Sequence, residues 1–301
     1  MTIPSYLKKG DTIGIICPAG CMQKTAAITC IDTLKKWGLN VVIGSTVGTQ
    51  FNYFSGTDEQ RLNDLQTMLD DDNIKAILCG RGGYGISRII DKIDFKKFKK
   101  NPKWIIGYSD ITMLHSHINK QLKIATLHSP MASAFNNEGY KNEFVLSLQK
   151  ALKGNAINYK CQSHILNKSG MAIGELIGGN LCIIAHTMGT KSCYDFKNKI
   201  LFIEDIGEYI YAIDRMLIQL KRNGVFEQIA GLIVGSFTDI KDTTIPFGKN
   251  VYEIIEEQIV SYKFPVCYNF SVGHQTENYA LKIGATYQLN VNNKKVSLKE
   301  I

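Results

Sequence analysis

Over the first 120 residues, short runs of aliphatic and β-branched residues alternate with stretches in which apolar positions recur every three or four residues. "TIGIICPA" (12–19) is a continuous apolar run ending on Pro18-Ala19, and it predicts a buried strand. "KTAAITCIDTLKKWG" (24–38) predicts a helix closed by Gly38, and "NVVIGS" (40–45) predicts a second strand. "TDEQRLNDLQTMLDD" (57–71) predicts a helix with Thr57 as its cap, acidic residues in its first turn, and Leu62, Leu65 and Leu69 on one face. "IKAILC" (74–79), "SRIIDKI" (87–93) and "KWIIGYS" (103–109) continue the strand, helix, strand order, and a further helix is expected from Ser109 to about Lys120. That rhythm is the signature of βαβ units on a parallel sheet.

From about 140 to 170 the pattern loosens into turn formers without a sustained period. The expected division is therefore a domain at 1–150, a crossing segment at 151–167 and a second domain at 168–301. In the second, "MAIGELIGGNL" (171–181), "KILFIED" (199–205) and "IAGLIVGSF" (229–237) are apolar runs. "YAIDRMLIQLKRNG" (211–224) and "NVYEIIEEQIVSY" (250–262) are helical in period. The tail "ALKIGATYQLNVNNKKVSL" predicts short strands around an Asn-Asn turn, so β-structure closes the chain.

Composition narrows the functional classes. The chain of 301 residues is 45% hydrophobic and 21% charged, which is ordinary for a folded globular protein. Its net charge of +8 admits acidic partners, but the basic residues are mostly scattered lysines. The one dense run, "KKFKKNPK" (96–103), reads as a solvated face, so no nucleic-acid partner is expected. No apolar run approaches the roughly 20 residues of a membrane helix, and the opening segment reads as a strand and not as a leader. The eight cysteines show neither CxxC pairs nor histidines at zinc-finger spacing, so no metal is expected. Several lie in apolar runs as small hydrophobes, consistent with a reduced cytoplasmic protein.

Four places could carry chemistry. In "IIGYSDITMLHSH" (105–117) an apolar strand runs into Ser109 and straight on into a helix. Gly107 stands two residues before the serine as in a nucleophile elbow, G-x-S-x-G, but Ile111 fills the second glycine position. An ordinary βα connection capped by a hydroxyl or carboxylate is the competing reading. A nucleophile needs a base, and six histidines are available. His115 and His117 sit on the following helix pointing away from its start, His164 in the crossing, and His186 in an apolar stretch as a packed residue. His128 and His274 occupy turn-like contexts, and in "FSVGHQTEN" (270–278) no apolar periodicity accounts for His274. "ILFIEDIGE" (200–208) brings Glu204 and Asp205 to a strand's carboxyl end, where sites assemble on open parallel sheets, unless they cap the next helix. "CGRGGYG" (79–85) lacks the spacing of a phosphate loop and is either a tight turn or a set of exposed amides able to hold an oxyanion.

"GIICPAG", "GRGGYG", "GYSDIT", "GELIGGNL", "FIEDIGEYIYAIDRML" and "VGHQTEN", in that order from about residue 12 to 285, resemble the LD-carboxypeptidase family of serine peptidases, which includes the microcin C self-immunity peptidases. The resemblance implies an α/β fold. Its amino-terminal domain would be Rossmann-like, similar to class I glutamine amidotransferases, and its carboxy-terminal domain smaller and β-rich. It also implies a cytoplasmic homodimer with no cofactor. Carried over by position, Ser109 matches the nucleophile, His274 the base and Glu204 the acid that orients it, with the backbone amides of Gly83 and Asp110 as oxyanion donors. "HSPM" (128–131) departs from the family's His-Gly-Pro by placing Ser129 at the glycine. The substrate implied is a small peptide, the murein tetrapeptide, cut before its terminal D-alanine. Arg81, with Gly82 beside it, is a candidate for binding the substrate's carboxylate, or else a surface ion-pair residue. A peptidase for peptidyl-nucleotides and a non-catalytic Rossmann-like binding module are the alternatives.

Overall fold

A computed structural model describes residues 1–301, the side chain of residue 140 apart. The chain forms two compact units, one of Met1–Asn155 with Tyr279–Ile283 and one of Ala156–Asn278 with Gly284–Ile301.

In the first unit, β1 (Thr12–Ile16), β2 (Asn40–Ile43), β3 (Ile74–Cys79), β4 (Trp104–Gly107) and β5 (Thr126–His128) form a parallel sheet in the order β5-β4-β3-β1-β2. The central strands β3 and β4 are almost wholly buried, as expected where helices cover both faces. At the sheet's edge, β2 is largely exposed. The helix Asp58–Asp70 has the expected capping box, with Thr57 and Gln60 exchanging hydrogen bonds. Its buried face differs from the leucine stripe: Leu65, Met68 and Leu69 are buried, Leu62 is only partly so, and Arg61 and Asp64 are buried with them. The helix expected at 87–93 is two 3-10 turns, Ile86–Arg88 and Ile90–Lys92, followed by the short helix Lys96–Lys100. Ile86, Ile89 and Ile90 are buried in either conformation, so their spacing does not distinguish the two.

The stretch from 140 to 170 is more regular than its sequence suggests. Asn142 caps the helix Glu143–Leu152 by accepting from the Phe144 and Val145 N–H groups. Then β6 (Asn158–Gln162) alternates exposed and half-buried residues as an edge strand. Among the described residues it pairs with one neighbouring strand, which is why no apolar run announces it.

In the second unit, β7 (Gly170–Asn180), β8 (Ile200–Ile206), β9 (Gly231–Thr238) and β10 (Val266–Cys267) pair in parallel. Next, β11 (Leu281–Ile283) belongs to the first unit and runs antiparallel to β5. Then β12 (Thr286–Val291) and β13 (Lys295–Glu300) form a hairpin about Asn292-Asn293 that joins β7 antiparallel. The order is β10-β9-β8-β7-β12-β13-β6. The two ends of this sheet curl toward each other, since Cys161 on β6 and Cys267 on β10 bring their sulfurs within 3.9 Å. Among the described residues no helix is long and apolar enough to cross a membrane.

Candidate active site

The carboxyl edge of the first unit's sheet carries Ser109. The strand β4 stops at Gly107, two residues earlier than its sequence predicts, and Ser109 takes a left-handed conformation with φ +65°. A residue with a Cβ is strained there, and such strain concentrates where a side chain must be presented in one direction. A 3-10 turn, Ser109–Ile111, leads into the helix Thr112–Leu122, and among the described residues no side chain caps either element. The capping reading of Ser109 and Asp110 therefore fails. Ser109 faces Gly82 so closely that a Cβ built on Gly82 would lie 2.7 Å from the Ser109 Cβ and 3.0 Å from its Oγ.

The Asp110 carboxylate does something the sequence did not reveal. It is buried and accepts the Ile86 N–H at 2.9 Å, fastening the glycine loop to the serine turn. Burial pushes its pKa up to about 6, against the opposing pull of the Ile86 N–H, Arg61 and the Gly85 N–H. Arg61 is the second fastener and was also missed. Fully buried, it donates to the carbonyls of Pro18 at 2.7 Å and Gly85 at 3.1 Å and lies over the Phe54 ring. Gly20 N–H donates to the Gly82 carbonyl at 2.9 Å. The loops after β1 and β3 and the serine turn are thus tied into one rigid edge. Arg81 is exposed, and its guanidinium donates to the Cys21 carbonyl at 2.7 Å rather than entering a surface ion pair. Among the described residues, the Gly83 and Asp110 N–H groups donate to no backbone carbonyl outside regular structure.

His115 does not point away from the turn. Its Nε2 lies 2.8 Å from the Gly107 carbonyl, and burial pulls its pKa down to about 4, so it is a neutral support behind the serine. His117 stacks on Phe95, and His128 lies within β5 beside Tyr108, not in a turn. His164 packs against Tyr252 and Tyr268. His186 is exposed, not packed.

The second unit builds an acid and imidazole pair. In β8 the residues before Glu204 are buried on both faces, and Glu204 itself is fully buried. The β8–β9 register shifts between Ile203 and Asp205, a bulge that re-aims side chains at the strand's end. Glu204 Oε2 lies 2.6 Å from His274 Nδ1. Asp205 turns the other way. It accepts from Asn180 Nδ2 at 2.7 Å and from the Cys182 N–H at 2.9 Å, and so serves the start of the helix Leu181–Thr187, not the helix that follows it in sequence. Burial and the neighbouring Glu204 charge raise the Asp205 pKa to about 7.

Several bonds fix the His274 loop: Gly273 N–H donates to Asn278 Oδ1 at 3.1 Å, and Thr238 Oγ1 donates to the His274 carbonyl at 3.0 Å. Gly273 is required twice over. Its φ is +121°, and a Cβ there would lie 2.5 Å from Ser236 Oγ and 2.8 Å from Glu204 Cβ. Burial lowers the imidazole's pKa, but the charge and hydrogen bond of Glu204, with Asp205 behind, bring it to a net value above the usual one. Donation of Nδ1–H to Glu204 leaves Nε2 as the basic nitrogen. Among the described residues, no group of three or more His, Cys, Asp or Glu side chains is placed to hold a metal ion.

Comparison with known proteins accounts for both units. Residues 13–129 match the LD-carboxypeptidase N-terminal domain, and residues 173–289 match the LD-carboxypeptidase C-terminal domain. The "Probable murein peptide carboxypeptidase" of Bacillus subtilis is 37% identical over 292 residues, covering 95% of this chain and 91% of its own. The crystal structure of muramoyltetrapeptide carboxypeptidase from Oxalobacter formigenes superposes with a TM-score of 0.87 at 25% identity, covering 96% of this chain and 98% of that one. The microcin C7 self immunity protein MccF, in complex with aspartyl sulfamoyl adenosine, superposes with a TM-score of 0.88 at 25% identity, covering 100% of this chain and 99% of that one. Matched in both halves and over nearly its whole length, the chain belongs to the LD-carboxypeptidase family.

Proposed function

We propose that this chain is a serine carboxypeptidase that releases the terminal D-alanine of murein tetrapeptides, using Ser109 as nucleophile, His274 as base and Glu204 as the acid that orients the base. The observation that carries the reading is the 2.6 Å bond between Glu204 and His274 Nδ1, which gives a family member a base of fixed tautomer and raised basicity. His274 Nε2 takes the Ser109 proton as Oγ attacks the carbonyl carbon of the residue preceding D-alanine. The N–H groups of Gly83 and Asp110 hold the oxyanion, each worth roughly 10²–10³ in turnover. The imidazolium, held by Glu204, returns its proton to the departing amine. Water then hydrolyses the acyl-enzyme by the same base. Arg81 and Gly82 line the place of the leaving residue, with the guanidinium near its carboxylate.

The test is D-alanine release from a murein tetrapeptide by the purified protein, with Ser109→Ala and a chelator alongside. Release that survives the chelator and disappears in Ser109→Ala is expected. If the folded protein releases none, the murein substrate is wrong, and a peptidyl-adenylate becomes the substrate to assay. The reading also makes the protein a cytoplasmic homodimer, so light scattering should return twice the 33.7 kDa chain mass.

A further inference from the structure

Beside the glycine loop stands Tyr53, on a turn apart from the groups of the proposed triad. Phe51 to Phe54 form a tight turn closed by paired hydrogen bonds between Phe51 and Phe54 at 2.8 and 3.0 Å. A bridge from Phe54 to Gly20 and a bond from Cys21 N–H to the Tyr53 carbonyl at 3.3 Å tie that turn to the loop after β1. Phe54 is its anchor, with Arg61 over one face at 4.8 Å and the Tyr53 ring edge-on at 5.6 Å. Tyr53 is therefore held on a braced turn although it is 54% exposed. Its hydroxyl is the atom nearest to a Cβ built on Gly83, at 3.0 Å.

The stem of Arg81 lies near the neighbouring Gly20. A Cβ built on Gly20 would meet the Gly83 Cα at 3.7 Å and the Arg81 Cδ at 3.8 Å. The Tyr53 phenol and the Arg81 side chain thus both lie by the Gly20 and Gly83 pair, next to the loop that presses on Ser109. Two carboxylates of this edge are engaged with other groups, Asp58 with Arg61 and Arg88, and one Asp110 oxygen with the Ile86 N–H. The spot offers donors, and an enzyme that trims a single terminal residue must recognise a free carboxylate. We propose that the Tyr53 hydroxyl is a binding group for the substrate's terminal carboxylate, donating a hydrogen bond beside Gly83 and acting with Arg81. Exposure suits this role better than oxyanion stabilisation, since the carboxylate is already charged in the ground state and a donor to it tightens binding without altering turnover. The proposal rests on the murein reading and adds to it how the peptide's end is held.

The test is calorimetric titration of a murein tetrapeptide into the Ser109→Ala protein, with and without Tyr53→Phe, using the free acid and the C-terminal amide. Tyr53→Phe removes one exposed oxygen, and an unchanged melting temperature confirms that the fold is intact. The free acid should bind about tenfold more weakly to Tyr53→Phe, while the amide binds both proteins alike. Equal affinity of both proteins for the free acid overturns the proposal and leaves the murein reading standing. A loss shared equally by acid and amide also overturns it, because the hydroxyl then contacts another part of the peptide. If Ser109→Ala binds neither peptide, both the proposal and the murein reading fail together.

Discussion

Replacing Gly82 with alanine adds one methyl group to the wall that faces Ser109. Gly82 is not among the residues with positive φ, so its backbone accepts an alanine without strain, and the perturbation is purely one of space. The new Cβ would lie 2.7 Å from Ser109 Cβ, 3.0 Å from its Oγ and 3.3 Å from the Tyr108 carbonyl oxygen. Comfortable carbon contacts begin near 3.5 Å, so the two segments must part by roughly 0.8 Å. Ser109 Cβ is fixed to a strained backbone and cannot swing aside as the tip of a lysine would. Asp110 and Arg61 hold the loop on the other side. The shift therefore falls on Ser109, the proposed nucleophile, and a displacement near 1 Å costs about 10² in rate. Overpacking should cost about 1–3 kcal/mol of stability, which leaves a folded protein to assay. The assay is steady-state D-alanine release beside a urea unfolding curve. The expected result is a drop in kcat of about a hundredfold with a cooperative transition retained. A kcat within threefold of the parent would refute the claim that the glycine loop sets the position of Ser109.

Glu204→Gln keeps the shape of the pair and removes its charge. The His274 pKa then falls, so the acid limb of the activity profile moves to lower pH while the plateau drops by 10² or more. Because the folded His274 pKa is raised, its contribution to stability is full below about 6.5 and is lost as pH rises through the folded value. The variant's stability deficit in denaturant melts should accordingly shrink between pH 6 and pH 9. Gly273→Ala meets both a positive φ and contacts of 2.5 and 2.8 Å, so it should part His274 from Glu204. An NMR titration should then find the imidazole pKa moved down from its raised value, with activity nearly abolished. Arg61→Met leaves the Pro18 and Gly85 carbonyls without their buried donor and should cost about 2–4 kcal/mol in urea unfolding.

What the sequence discloses and what it hides follow physical lines. The strands β3 and β4 are legible because both faces are buried and the runs are unbroken, whereas β6 is hidden because a one-sided edge strand carries few apolar residues. Ser109 draws attention through Gly107 and the abrupt change of period, Glu204 through the end of an apolar strand, and His274 through a lack of any packing reason. Their surroundings are not legible. Arg61 is hidden in an amphipathic helix that would predict an exposed guanidinium, and its role depends on two loops that meet only in the fold. Asp110 looks like a helix cap by position, yet the left-handed turn at Ser109 aims it at Ile86. Asp205 likewise caps a helix that precedes it in the chain. Side-chain direction at such turns is decided by contacts far apart in sequence, which local pattern cannot carry.

The central proposal is that Ser109 and His274 act as one catalytic device. The most direct test is the rate of D-alanine release by Ser109→Ala, His274→Gln and the double variant, measured side by side. Residues that act as a unit are not additive, so each single variant should lose the same large factor and the double should lose no more. Losses that multiply in the double variant, or activity retained by His274→Gln, would contradict the account.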